Sequence, residues 1–406
     1  EDSVQAVIEL QTFLDCFSSS TRPLIQPLFF VFQGAGDSTT SCTQANWSRF
    51  VCGVSDFAQQ SASWETLLSA WTRTKATDVD GLRTALELAA VLCWTCALGD
   101  RLDTSTEEPL SVAELLCGRV SGASTWEEIE GSLRSDLPCL PRSVTQRVYE
   151  VLLGGPVRIS PVIESRAVDR NMVLLLRGMS DVLWEADEWQ PLFRDWIDGR
   201  SFSELVKGVA HYSGTAVLVV RATTGEVLGA VSSSWEEGSG KYSGHSTTFL
   251  FSLQPSLSVH RATSRSSNYV YFNSRNKFAP RGLGYGGQLD FWRLWIGSDF
   301  EECLVTESDA TFGSGALVPS GEFQTKLKID TLEVWGCGGV EARTGQSEQR
   351  HRDEVARGNA RKVDRAQMME NEFDNEMFFG KMMNHREVLR EDIGLLKKEA
   401  RSRDTT

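Results

Sequence analysis

From Thr215 onward the chain alternates short β-branched or aromatic runs with glycine-centred turns, a texture that suits strands and not packed helices. Thr215 to Arg221 (TAVLVVR) leads into the turn residues Thr223-Thr224-Gly225, and Val227 to Val231 supplies a hairpin partner. Thr247 to Leu253, Asn268 to Phe272, Leu289 to Ile296 and Phe323 to Trp335 are further strand candidates. Glycine-rich turns separate them, which predicts a sandwich of antiparallel sheets.

Residues 1–153 follow a different period. Val4, Val7, Ile8, Leu10, Phe13, Leu14 and Phe17 recur at helical spacing, and Phe50 to Phe57, Trp64 to Trp71 and Leu82 to Leu98 continue the pattern. Gly154-Gly155-Pro156 stops it. Trp184 to Trp196, with Pro191 inside, reads as short helices leading into Gly199. After Gly339 the composition shifts to alternating charges without proline, with an imperfect apolar stripe through Val363, Met369, Phe373, Met377, Met382, Val388, Leu389, Ile393 and Leu396. The expected class is therefore α+β: a helical region over 1–156, the sandwich with flanking helices over 157–340, and a long charged helix or tail over 341–406.

Net charge is −14. Residues 341–406 hold 14 Lys/Arg and 14 Asp/Glu, so the whole excess lies on residues 1–340. Such a surface repels phosphate backbones and argues against nucleic acid as the main partner. Nine cysteines form no regular framework, which predicts reduced thiols in a cytoplasmic setting. The longest apolar run, Leu88 to Leu98, falls short of the ~20 residues a spanning helix needs.

Signatures of catalysis fail one by one. Gly238-Ser239-Gly240-Lys241 lacks the earlier glycine and following hydroxyl of a phosphate loop, since Trp235 and Tyr242 stand there. Gly282-Leu283-Gly284-Tyr285-Gly286-Gly287 approaches a dinucleotide fingerprint but enters a strand-like stretch, so no helix end would face a pyrophosphate. It reads as a tight structural loop. Cys93 and Cys96 lie within an apolar helix pattern and read as core. Asp78-x-Asp80-Gly81 has its glycine too early for a calcium loop. The five histidines are scattered. Neither a catalytic residue, nor a cofactor, nor a metal site is expected.

Several segments, taken in order, resemble the TLDc domain family. Asp198-Gly199-Arg200-Ser201-Phe202 is similar to the family's opening segment, and Thr248-Phe249-Leu250-Phe251-Ser252-Leu253 to its FLF-x-L strand. The 282–287 glycine run, Leu294-Trp295-Ile296, Thr311-Phe312 and Leu332-Glu333-Val334-Trp335 resemble its later motifs. Asn268-Tyr269-Val270-Tyr271-Phe272-Asn273 is similar to the MTOR-associated branch, which pairs an EF-hand-like helical region with the TLDc domain and a helical tail. The chain departs from the pattern at Gly297, where an acidic residue is usual, at Ala310, where cysteine is usual, and in lacking an intact calcium loop.

The resemblance implies a non-enzymatic adaptor, on the cytosolic face of vacuolar or lysosomal membranes, that binds the peripheral V1 sector of the proton-pumping V-ATPase and regulates it. It also implies a link to oxidative-stress resistance. The residues expected at the contact are Gly282, Gly284, Tyr285, Gly286 and Gly287, with Phe373, Met377, Met382, Leu389, Ile393 and Leu396 on the tail. Two other classes remain open: a scaffold of a cytoskeletal or ciliary assembly, and an enzyme with a non-standard site. Large Trp295 and Trp335 are expected to fill the space between the sheets.

Overall fold

The computed structural model describes residues 7–19, 21–33, 44–60, 63–68, 79–98, 107–123, 125–154, 161, 163–233, 235–236 and 240–370. Contacts divide the chain into one unit from Glu1 to Arg343 and a second from Thr344 to Thr406. The class is α+β, as the period of the sequence predicts.

The amino-terminal region packs helices Arg22–Phe32, Trp47–Gln60, Val79–Ala97, Glu107–Arg119, Trp126–Asp136 and Arg142–Leu153 around a dense interior. Phe13, Phe29, Phe32 and Phe50 meet there with ring centroids 5.3 to 6.1 Å apart, counting Phe17 and Phe57 at the ends. Strands β1 (Val7–Glu9) and β2 (Gln44–Asn46) pair antiparallel, and each runs directly into a helix. Thr125 and Glu128 form a capping box, which is why the helix begins at Trp126. Cys93 and Cys96 are buried in Val79–Ala97, and burial pushes the Cys93 thiol up to about 12.

Residues Gln190–Gly336 form an eleven-stranded antiparallel array. Its members are β3 (Gln190–Arg194), β4 (Ala216–Ala222), β5 (Val227–Ser232), β6 (Tyr242–Ser243), β7 (Phe249–Gln254), β8 (Ser258–Arg261), β9 (Val270–Asn273), β10 (Gly282–Tyr285), β11 (Leu294–Gly297), β12 (Glu302–Thr306) and β15 (Gln324–Gly336). A small hairpin, β13 (Ser308–Asp309) with β14 (Gly313–Ser314), lies between the last two. The 13-residue β15 belongs to two sheets. Gln324–Lys328 pairs with β12, and Ile329–Gly336 pairs with β4, with β3 on its other side. The ladder shifts register between Ile329 and Thr331, where one strand passes from sheet to sheet.

The first sheet, β3-β15-β4-β5-β7-β8, is buried on both faces, which is why its strands read as continuous apolar runs. Val217, Val219, Phe249, Phe251 and Trp335 share a core with the helical region. Leu218, Val220, Leu228 and Leu250 share another with Phe272, Leu283, Ile296 and Leu327 of the second sheet. Trp335 therefore does not fill the space between the sheets; it faces the helical layer. Trp295 lies on the outer face of the second sheet, because Leu294 and Ile296 take the inward positions of β11.

Two local expectations are corrected. Pro191 sits in strand β3 and not in a helix; among the described residues β3 pairs with β15 alone, and an edge tolerates a residue with no N–H to donate. Gly282–Tyr285 is a strand bonded on both sides, to β9 and β11, and only Gly286 and Gly287 turn. The segment from Gly339 to Glu370 is one helix of 32 residues.

Candidate functional site

Strand β10 alternates two roles. Leu283 and Tyr285 point inward and are fully buried. Gly282 and Gly284 face outward, and their missing side chains make room for two indoles. A Cβ on Gly284 would stand 2.6 Å from Cδ1 of Trp292, and one on Gly282 would stand 2.7 Å from Cζ2 of Trp295. The two rings stack with centroids 3.8 Å apart and planes within 16°. Tyr271 lies 5.6 Å from Trp292 and 5.9 Å from Trp295, and Tyr242 lies 5.6 Å from Tyr271.

The ladder registers place these groups in one row across the outer face: Tyr242, Tyr271, Gly284, Trp295, Leu304 and Lys326. Tyr242, Trp295 and Leu304 are half-buried, and Lys326 is exposed and paired with Glu302 at 3.3 Å. At one end, the turn between β10 and β11 holds Leu289 and Phe291 outward, 46% and 60% exposed. Tyr271 and Trp292 are buried beneath this face, at 0% and 6% exposed. Its accessible part is therefore the half-buried Tyr242, Trp295 and Leu304 with the exposed Leu289 and Phe291, an apolar edge of the composition found at protein contacts.

That turn is rigidly held. Asp309 accepts hydrogen bonds from the N–H groups of Gly287 (2.9 Å), Thr311 (2.8 Å) and Phe312 (3.0 Å). Asn268 Nδ2 donates to the Gly287 carbonyl at 2.7 Å, and the Tyr242 hydroxyl donates to that of Gly286 at 3.3 Å. Arg293, fully buried, donates to the carbonyls of Thr306 and Gly315. Burial lowers its pKa to about 10, with Asp309 opposing, so it stays charged at neutral pH. Gly286 and Gly287 adopt φ of +67° and +64°, conformations that a β-carbon disfavours.

Of the glycine-run residues expected at a contact, four are backbone support for the face. Tyr285 is 0% exposed and offers a partner no surface. Phe373, Met377, Met382, Leu389, Ile393 and Leu396 lie outside the described residues. Tyr242, Leu304 and Phe291 are the surface members that reading by segment missed, and Trp292 is the buried ring that supports Trp295. Their signal was present: Gly-x-Gly in a strand, followed by Trp-x-x-Trp, is the pattern of two outward glycines under two large rings.

A second buried polar centre lies on the opposite side of the first sheet. Glu333, 0% exposed, accepts from Ser165 Oγ (2.6 Å), the N–H groups of Arg166 (2.8 Å) and Ala167 (3.3 Å), and the indoles of Trp196 (3.0 Å) and Trp335 (3.0 Å). Every partner is a donor that fixes chain direction, so the carboxylate ties the 165–167 segment to β15. Among the described residues no group of three or more His, Cys, Asp or Glu is placed to hold a metal ion. No helix among them is long and apolar enough to cross a membrane.

Residues 164–338 match the TLDc domain family. The chain is 34% identical over 187 residues to MTOR-associated protein MEAK7 of Danio rerio, covering 45% of this chain and 40% of that protein. It is 33% identical over 153 residues to the Gallus gallus protein of the same name, 37% and 32% covered. The Xenopus laevis counterpart is 34% identical over 155 residues, 38% and 33% covered. The chain thus spans less than half the length of these curated relatives.

Proposed function

We propose, from the premise that residues 164–338 are a TLDc domain, that this chain is an adaptor without catalytic chemistry which docks on the V1 sector of the V-ATPase and regulates the pump. The observation that carries the docking role is the outer face of the second sheet. Half-buried Trp295, stacked on the buried Trp292 ring and floored by glycine, forms with the exposed Leu289 and Phe291 a preorganised apolar surface. Such surfaces concentrate binding energy in a few rigid rings. The likeness to proteins named MTOR-associated supports an interaction role, and the pump as partner comes from the family resemblance. The apolar stripe from Phe373 to Leu396 is the proposed second contact, a helix whose partner covers it. Peripheral placement on lysosomal or vacuolar membranes and a part in oxidation resistance belong to the same proposal.

Capture of purified V1 by the full chain tests it. Leu289→Ser with Phe291→Ser changes only exposed side chains and is expected to weaken capture by about thirtyfold, the scale of one lost hot spot. A chain ending at Gly345 is expected to lose the tail contribution. If V1 is captured equally well by both variants, or not at all by the parent, the reading is wrong.

A further inference from the structure

The other end of the same sheet carries a feature that pump docking does not explain. The connection from β9 to β10, Ser274-Arg275-Asn276-Lys277-Phe278-Ala279-Pro280-Arg281, has three cations and no acid. Arg275, Lys277 and Arg281 are exposed, and Phe278 at the tip is fully exposed, at 102%. An exposed aromatic ring between cations makes this segment locally positive on a chain of net charge −14.

The finger is braced from within. Asn273, 0% exposed, donates through Nδ2 to the carbonyls of Asn276 (3.0 Å), Ala279 (3.2 Å) and Pro280 (3.0 Å), and its Oδ1 accepts from the Asn276 N–H at 2.9 Å. Asn276 Oδ1 accepts from the Phe278 N–H at 2.9 Å, and the Tyr271 hydroxyl donates to Pro280 O at 2.8 Å. Gly240 packs on the flank, where a Cβ would stand 3.1 Å from that of Ala279, so the exposed Lys241 adjoins the finger. Asp299 and Glu301 sit in the adjoining turn, joined through the Ser298 N–H to the Arg281 carbonyl. The loop thus spends six internal hydrogen bonds on holding Phe278 away from the protein.

We propose that this finger binds an anionic lipid surface, with Phe278 entering the headgroup boundary and Arg275, Lys277 and Arg281 meeting lipid phosphates and carboxylates. A protruding single ring suits a deformable interface better than the flat centre of a protein contact, and cations beside it add about fivefold each at an anionic surface. The proposal does not rest on the pump, because protein-free vesicles contain none.

The full chain would be sedimented with vesicles of phosphatidylcholine, with and without phosphatidylserine. Binding is expected only with phosphatidylserine, and it is expected to fall as salt rises. Phe278→Ala is expected to cut partitioning about tenfold. Lys277→Glu with Arg281→Glu is expected to cut it at least about thirtyfold, with the thermal midpoint unchanged. Leu289→Ser with Phe291→Ser, at the far end of the face, is expected to leave it alone. The proposal is overturned if no phosphatidylserine-dependent binding is seen, or if it survives both finger variants. It is equally overturned if those variants abolish V1 capture while vesicle binding persists, which would make the finger a contact for an acidic protein.

Discussion

Single atoms decide where this domain accepts change. Gly284 and Gly131 are both glycines in regular structure, yet a Cβ on the first would meet the Trp292 ring at 2.6 Å while one on the second meets nothing within 4 Å. Gly284→Ala is expected to destabilise by about 1–3 kcal/mol and to alter the near-ultraviolet dichroism of the stacked pair. Gly131→Ala, within helix Trp126–Asp136, is expected to stabilise by up to about 1 kcal/mol in chemical denaturation. His260 supplies a pH handle. Burial, with Arg293 and Arg119 nearby, lowers its pKa from 6.5 to about 4. Below pH 6.5 the unfolded chain takes up a proton that the folded chain refuses, so stability is lost as pH falls from about 6.5 to about 4. Asp136 and Asp195, raised by burial, act in the opposite sense: the folded chain holds their protons more tightly, which favours folding on acidification. The informative quantity is therefore the difference between the parent and His260→Asn across that window. A parallel pair of curves would show that His260 is not responsible.

Among the elements, β15 carries the most topology. Its register shift between Ile329 and Thr331 lets one strand serve two sheets, and the shift is held from outside. Arg200 donates through Nη2 to the carbonyls of Ile329 (2.9 Å) and Asp330 (2.6 Å) and through Nε to the buried carboxylate of Asp195 (3.1 Å). Deleting Asp330 would slip the first half of β15 by one residue and turn Leu327 and Ile329 out of the core. We expect that deletion to abolish cooperative thermal unfolding, whereas Asp330→Ala keeps the count and should cost less than about 1 kcal/mol. Strand existence along this segment was readable from period two and β-branching. The transfer between sheets was not, because a bulge changes no residue type.

The described part of residues 1–343 is layered: helices, a sheet buried on both faces, then a sheet whose outer face is partly exposed. Arg261 crosses the first boundary, donating to Ser135 O (2.9 Å) and Met179 O (2.6 Å) with its guanidinium 5.0 Å above Phe249. A fragment beginning at residue 161 would uncover part of the apolar surface formed by Val217, Val219, Phe249 and Phe251. Such a fragment is expected to bind a hydrophobic dye and to unfold less cooperatively than the full chain. Dye binding equal to that of the parent would mean that the helical region adds nothing to the sandwich.

Local chemistry in the sequence determined the α+β class, the position of the helical region, most strands and the glycine-rich segment, because period, turn residues and β-branching act over a few neighbours. It could not determine which side each tryptophan takes. Trp335 and Trp295 are both motif tryptophans in strands of one array, yet the first is buried against helices more than a hundred residues away and the second lies half-open on the outer face. That choice depends on which layer covers which sheet face, and only long-range packing settles it.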